Sequence, residues 1–545
     1  MIDRQSAALP DWRWSKTGPQ GPSLPLRQQV AQLVVARASG HLFDHQIAYP
    51  AWEPPQDVLH HWVNDLGIGG VILLGGSAAE VAQRCAQLQG WASVPLLLTA
   101  DIEEGVGQRF AGATWFPPPM AIGAIAHSTL QQAKDYARTM GSVTAREALA
   151  LGLNWVLAPV VDVNNNSDNP VINVRAFGDD PATVEALTVA FVEGAHTHPV
   201  LTAAKHFPGH GDTAIDSHLE LPTIHHDRDR LEAIELPPFE AAIAAGVDSV
   251  MSAHLLVPAL DPQRPATLSP KILTGVLRQD LGFDGLIVTD ALVMGAIAQK
   301  YGTGEASVMA IEAGADVLMM PLDPVEAVEA VCVAVESGRI APERIHQSLE
   351  RIWRSKARVC VKPAGSLADS STPKNLWEQL SQPAAAVTVD QILEQSLERQ
   401  GGPAPSVQGG HNVIVIDDCL ACDFLDRQAP TVTRPAQQGY TTLHLVDARC
   451  PLPQIPADAP VLLQLFVRGN PFRGSAKLLD QRWQGLVSQS RLQAVVVYGS
   501  PYSWRRVRDS LPATLPGVFT YGQMPAAQAI ALKVLFATPK FSQPQ

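Results

Sequence analysis

Between Gln28 and Arg358 the chain alternates short, nearly continuous apolar runs with amphipathic stretches, and this alternation constrains the fold more than any other feature. The apolar runs fall at 31–36, 70–74, 95–99, 154–161, 200–204, 248–253, 286–289 and 316–320. A run without polar alternation is the pattern of a strand covered on both faces, as in parallel sheets. Helical patterns lie between them at 128–151, 181–195, 228–245 and 269–281, and Gly246 and Gly314 supply helix stops just before strands. Eight such units predict an α/β fold, a (β/α)8 TIM-like barrel over 28–360, preceded by an N-terminal tail, 1–27. A doubly wound open sheet is the competing topology, and periodicity alone does not exclude it.

After Arg358 the composition changes. Pro363, Ser370, Ser371, Pro373, Pro383 and Gly401-Gly402-Pro403-Ala404-Pro405 mark 361–410 as a linker, interrupted by one helical segment at 390–399. A second series follows, with strands expected at 412–416, 442–446, 461–467, 494–498 and 518–521 and a closing helix at 526–536. Residues 411–545 therefore read as a smaller C-terminal α/β sandwich domain.

Composition narrows the function classes. At 46% apolar and 17% charged residues, the 545-residue chain can bury a large core and is not disordered. A net charge of −13 argues against a nucleic-acid partner, which needs clustered Lys and Arg. No apolar run approaches the roughly 20 residues of a membrane helix. The start, Met1-Ile2-Asp3-Arg4-Gln5-Ser6, lacks a basic region followed by an apolar stretch, so no secretory signal is expected and the cytoplasm is the default. Six cysteines in so long a chain do not make a disulfide framework. Cys419-Leu420-Ala421-Cys422 has CxxC spacing with no second pair to complete a zinc site, and reads as ordinary thiols.

The chemistry concentrates in Lys205-His206-Phe207-Pro208-Gly209-His210-Gly211-Asp212-Thr213-Ala214-Ile215-Asp216-Ser217-His218, a polar loop following an apolar strand. In a barrel, residues at the carboxyl ends of strands converge on one face. That rule collects Asp101 and Arg109 after strand three, Lys205 and His206 at strand five, His254 at strand six and Asp290 at strand seven. From position alone, Asp290 is either a helix N-cap or a carboxylate able to attack an electrophilic carbon. Asp216, two residues before His218, can orient the imidazole and favour its charged form; the bland alternative is a solvated turn. His206, His210, Asp212, His218 and His254 offer metal-ligand chemistry, but HxxxH on a Gly-Pro loop lacks the helical register that would bring two ligands together, so no metal is expected.

These motifs resemble glycoside hydrolase family 3. Lys205 to Gly211 with Asp216-Ser217-His218 resembles the signature of its β-N-acetylglucosaminidase branch, which includes bacterial enzymes acting on peptidoglycan fragments. The blocks 169–178, 285–290 and 101–109 resemble further family blocks, and Phe466 to Pro471 looks like part of the second domain that many members carry. The resemblance implies a retaining, exo-acting β-N-acetylglucosaminidase on a small-molecule glycoside from peptidoglycan or chitin, without cofactor. It implies Asp290 as nucleophile and His218, assisted by Asp216, as general acid/base. Asp101, Arg109, Arg175, Lys205, His206 and His254 would bind the sugar. The alternatives are a β-glucosidase or a glycoside phosphorylase on the same barrel, or a metal-dependent hydrolase. The Asp-Ser-His element argues against the glucosidase, whose relatives carry the acid/base carboxylate in the second domain. Two features depart from the family. Glu104, Val106 and Gly107 stand where members often have two glycines and an arginine, and the insertion-like 43–56 matches no block.

Overall fold

The computed structural model describes residues 24–214, 220–360, 376–468, 483–487 and 491–537. The first domain holds β1 (Val34–Ser39), β2 (Gly70–Leu74), β3 (Leu97–Ala100), β4 (Trp155–Val156), β5 (Leu201–Phe207), β6 (Ser249–Ser252), β7 (Leu286–Val288) and β8 (Leu318–Met319). Sequential strands are neighbours, every pairing is parallel, and β8 returns to β1. A Val288–Val317 bridge joins β7 to β8 and closes the ring, so the open-sheet alternative falls.

Most boundaries move for identifiable reasons. The first strand begins at Val34 because Leu26–Ala31 is a helix that buries Val30 and Ala31. β4 is shorter than expected: past Val156 only scattered bonds continue it, from the Leu157 N–H to the Ala100 carbonyl, from the Ala203 N–H to the Ala158 carbonyl and at the Val160–Lys205 bridge, and Pro159 has no N–H to add. β5 runs further than expected and takes Lys205 and His206 into the sheet. The 228–245 helix is broken at Pro237.

Register fixes which side chains point inward. Arg37, Ile72, Thr99, Trp155 and Leu201 are successive partners around the barrel and so share a face. Trp155 Nε1 donates to Ser249 Oγ of β6, two strands away, at 3.0 Å. Such a bond crosses the interior, so this row faces inward. With a side-chain period of two, Asp101, Lys205 and Asp290 face inward as well, at the carboxyl end of the barrel.

The second domain is a sheet ordered β11-β10-β12-β13-β14-β9. It comprises β9 (Glu398–Gln400), β10 (His411–Ile416), β11 (Thr442–Val446), β12 (Pro460–Val467), β13 (Arg491–Gly499) and β14 (Gly517–Thr520). All pairings are parallel except that of β9, which adds antiparallel to β14. The helix expected at 390–399 in fact runs Pro383–Ser396, and Arg399 belongs to β9. That helix packs against Leu130–Ala150 of the barrel and the closing helix Pro525–Leu535, tying the two domains together. Cys419 and Cys422 are free thiols, Cys419 lying 3.1 Å from an Asp447 carboxylate oxygen. Among the described residues no helix is long and apolar enough to cross a membrane.

Candidate active site

The inward residues of β3 and β5 meet in a buried charge network. Lys205, 1% exposed, donates to Asp101 Oδ1 at 2.7 Å and lies 2.6 Å from Glu103 Oε1. Arg175 grips Glu103 with two parallel bonds of 2.8 Å each, the bidentate geometry a planar guanidinium permits. Two carboxylates and two cations thus neutralise one another where isolated charges would be costly. Burial works against ionised Glu103, yet Arg175 and Lys205 hold its carboxyl well below the ordinary range. Burial also opposes charge on Lys205, and Asp101 and Glu103 outweigh it, raising the ammonium's pKa. Asp101 alone of the network's carboxylates retains substantial exposure, 31%, and so faces the mouth.

His206 is fixed by a carboxylate, Asp162, that strand-end reasoning did not single out. Asp162 accepts from His206 Nδ1 at 2.8 Å, from the His206 backbone at 3.1 Å and from the His210 backbone at 2.6 Å. On its other side His206 Nε2 lies 3.5 Å from Arg175 Nη2, which joins it to the network. Burial pushes His210 down to about 4 despite Asp162, keeping it neutral; Asp290 is close enough to act on its charge. The 206–213 loop is held from beneath by Asn169, whose Nδ2 donates to the carbonyls of His210 and Gly211 at 2.9 Å. Gly211 is required there, because a Cβ would come within 1.7 Å of the Val163 carbonyl oxygen.

Asp290 follows β7 by two residues and is half-buried, with Oδ1 accepting from the Ala291 backbone at 2.7 Å. It caps no helix: the next one, Gly295–Tyr301, begins after an N-cap at Met294. His254 is fully buried, its Nε2 donating to the Ala291 carbonyl at 3.0 Å and its Nδ1 lying 2.8 Å from Thr267 Oγ1. Both nitrogens face protein groups, so His254 steadies the turn that carries Asp290. Arg109 is exposed at the rim and donates through Nε to the Asp101 carbonyl at 3.0 Å.

The structure thus brings together Asp101, Arg175, Lys205 and His206, with Arg109 above them and Asp290 on the same carboxyl rim. Asp216 and His218 lie outside the described residues. Asp212 pairs with His226 at 2.8 Å, and among the described residues no three metal-ligating side chains converge. The residues missed, Glu103 and Asp162, carried legible signals. Glu103 stands two positions after Asp101 in the same strand-end segment, and Asp162 ends the fourth apolar run as Asp290 ends the seventh.

Against known proteins, the model described as Glycosyl hydrolase family 3 N terminal domain matches residues 25–355. The one described as Bacterial Glycosyl hydrolase family 3 C-terminal domain matches 404–537. A protein named Beta-hexosaminidase A from Pseudoalteromonas piscicida is 35% identical over 59% of this chain and 58% of its own length. One named Beta-N-acetylglucosaminidase/beta-glucosidase from Cellulomonas fimi is 35% identical over 55% of this chain and 54% of its own. The chain therefore spans little more than half the length of these curated relatives. The solved structure of a family 3 beta-N-acetylglucosaminidase from Paenibacillus sp. str. FPU-7 superposes with a TM-score of 0.74 at 30% identity, covering 94% of this chain and 97% of that one.

Proposed function

The chain belongs to glycosyl hydrolase family 3, and from that premise we propose that it is a retaining, exo-acting β-N-acetylglucosaminidase. One observation carries the reading. The Asp101–Lys205–Glu103–Arg175 network opens at the rim that also bears Asp290. Asp101, with Lys205 on one oxygen, accepts a sugar hydroxyl, and the cations of Lys205 and Arg175 hold neighbouring oxygens by charge-assisted bonds. Arg109 and His206 close the ring's surroundings.

Retaining cleavage needs one group to attack the anomeric carbon and another to protonate the departing oxygen. Asp290 is the attacking carboxylate, and the bond it forms is a glycosyl ester that water later opens. His218 is the proton donor and then the base for that water. A neutral imidazole cannot donate, so Asp216 beside it favours the imidazolium. The substrates are terminal N-acetylglucosaminides from peptidoglycan or chitin fragments. Six free thiols suit a reducing compartment, which makes the cytoplasm and cell-wall recycling the proposed setting.

A second reading, glucoside cleavage on the same site, is favoured by the double name of the Cellulomonas relative. Chromogenic N-acetylglucosaminide and glucoside, each assayed with and without EDTA, separate the possibilities. The proposal expects faster turnover of the N-acetylglucosaminide, unaffected by EDTA. A preference for glucoside supports the second reading, and loss of activity restored by zinc supports a metal-dependent hydrolase.

A further inference from the structure

The insertion at 43–56 follows β1, whose Arg37 points into the barrel by the register given above. Arg37 donates to Glu53 Oε1 from Nε at 3.0 Å and from Nη2 at 2.7 Å, and Glu53 is 2% exposed. The insertion therefore folds back over the mouth. Its turn is tight, with the backbones of Trp52 and Glu53 both donating to the Tyr49 carbonyl, at 2.9 and 2.8 Å. The rings of Tyr49 and Trp52 stack at 5.9 Å and 16°, and the Arg37 guanidinium lies 4.8 Å from one centroid and 5.2 Å from the other. The result is an aromatic ring on a stiff, ion-paired base, and Tyr49 still leaves 54% of its surface to solvent. Packing does not demand so exposed a ring.

The strand that carries its base lies near the proposed nucleophile's segment in the ladder. The Met320 backbone donates to the Val35 carbonyl, and Val293, three residues after Asp290, donates to the Met320 carbonyl. β1 thus stands two strand spacings from the Asp290 segment, on the order of 10 Å, the scale of a disaccharide. A pyranose presents an apolar C–H face that an aromatic ring covers well, and polar groups around it fix its orientation.

We propose that Tyr49, backed by Trp52, Arg37 and Glu53, is a stacking platform for the sugar ring on the leaving-group side of the cleaved bond, so that the site selects oligosaccharides over simple glycosides. This rests on the reading of the site as one for N-acetylglucosaminides. The test is calorimetric binding to the full-length Asp290→Asn variant, which holds substrate without cleaving it. N,N′-Diacetylchitobiose should bind about tenfold more tightly than N-acetylglucosamine. Adding Tyr49→Ala should bring that preference to within about twofold, and Tyr49→Phe should retain it. A preference that survives Tyr49→Ala, or that is absent before it, overturns the platform. Wild-type turnover of a chromogenic N-acetylglucosaminide judges the hydrolase reading separately: no turnover with the disaccharide preference intact would sink that reading and leave the platform standing.

Discussion

Arg468, one residue beyond β12 of the second domain, forms an ion pair with Glu104 of the barrel. Glu104 is fully buried, and its second oxygen accepts from Trp115 Nε1 at 3.0 Å. The Trp115 ring in turn meets Phe424 of the second domain edge-on at 6.2 Å. The segment Asp101–Glu104 is thereby tied to Lys205 and Arg175 on one side and to the second domain on the other. The pair thus joins a buried glutamate of the barrel to a cation of the second domain.

Removing one partner of a buried pair strands the other charge, at a cost on the order of 3 kcal/mol. Arg468→Ala should therefore lower the melting temperature and raise KM, because the Asp101 loop loses an anchor. Adding Glu104→Gln should recover much of the stability, since the stranded charge is then gone. Thermal denaturation of the two single variants and the double variant checks this; simple additivity would contradict a direct pair.

The network at Glu103 predicts a larger effect on binding than on folding alone. Lys205→Met leaves Glu103 to Arg175 and takes the cation from Asp101. Its expected signature is a fall in kcat/KM of about a hundredfold or more, the scale of removing a charge-assisted hydrogen bond from a dry site. Steady-state kinetics on a chromogenic N-acetylglucosaminide reads it out.

His210 predicts an acid-side loss of stability. Its ordinary value is 6.5 and burial takes it to about 4 in the folded protein. The unfolded chain therefore binds the proton first as pH falls, so stability drops between about 6.5 and 4 and is complete above 6.5. The full effect is about 3 kcal/mol. Melting temperatures measured across this range should fall more steeply for the wild type than for His210→Gln, which has no proton to gain.

His218→Ala should slow substrates with poor leaving groups most, because activated phenolates depart with little protonation. Comparing nitrophenyl and alkyl N-acetylglucosaminides gives the answer. Equal losses across leaving groups would assign His218 a structural role.

The barrel was legible because its strands are buried on both faces and mostly apolar, which leaves nearly continuous runs in the sequence. Strand ends were less so: β4 is shorter than its apolar run, while Lys205 enters the sheet only because Asp101 and Glu103, about a hundred positions away, neutralise it. Long-range pairing of this kind leaves no local trace. His254 shows the same limit: its contacts with Thr267 and the Ala291 carbonyl, 13 and 37 positions away, have no local signal. Glu398 and Arg399 of the short edge strand β9 fell within the 390–399 helix expectation because both are favourable in helices and take strand form only by pairing with β14.

Asp290 is the proposed nucleophile at the anomeric carbon. Asp290→Asn should keep the melting temperature and lose several orders of magnitude in turnover. The most direct measurement is to trap the intermediate with a fluorinated N-acetylglucosaminyl fluoride that slows its hydrolysis, and to locate the adduct by peptide mass spectrometry. One sugar ester is expected, on Asp290. An adduct on another carboxylate, or an inverted anomer as the first product released, would contradict it.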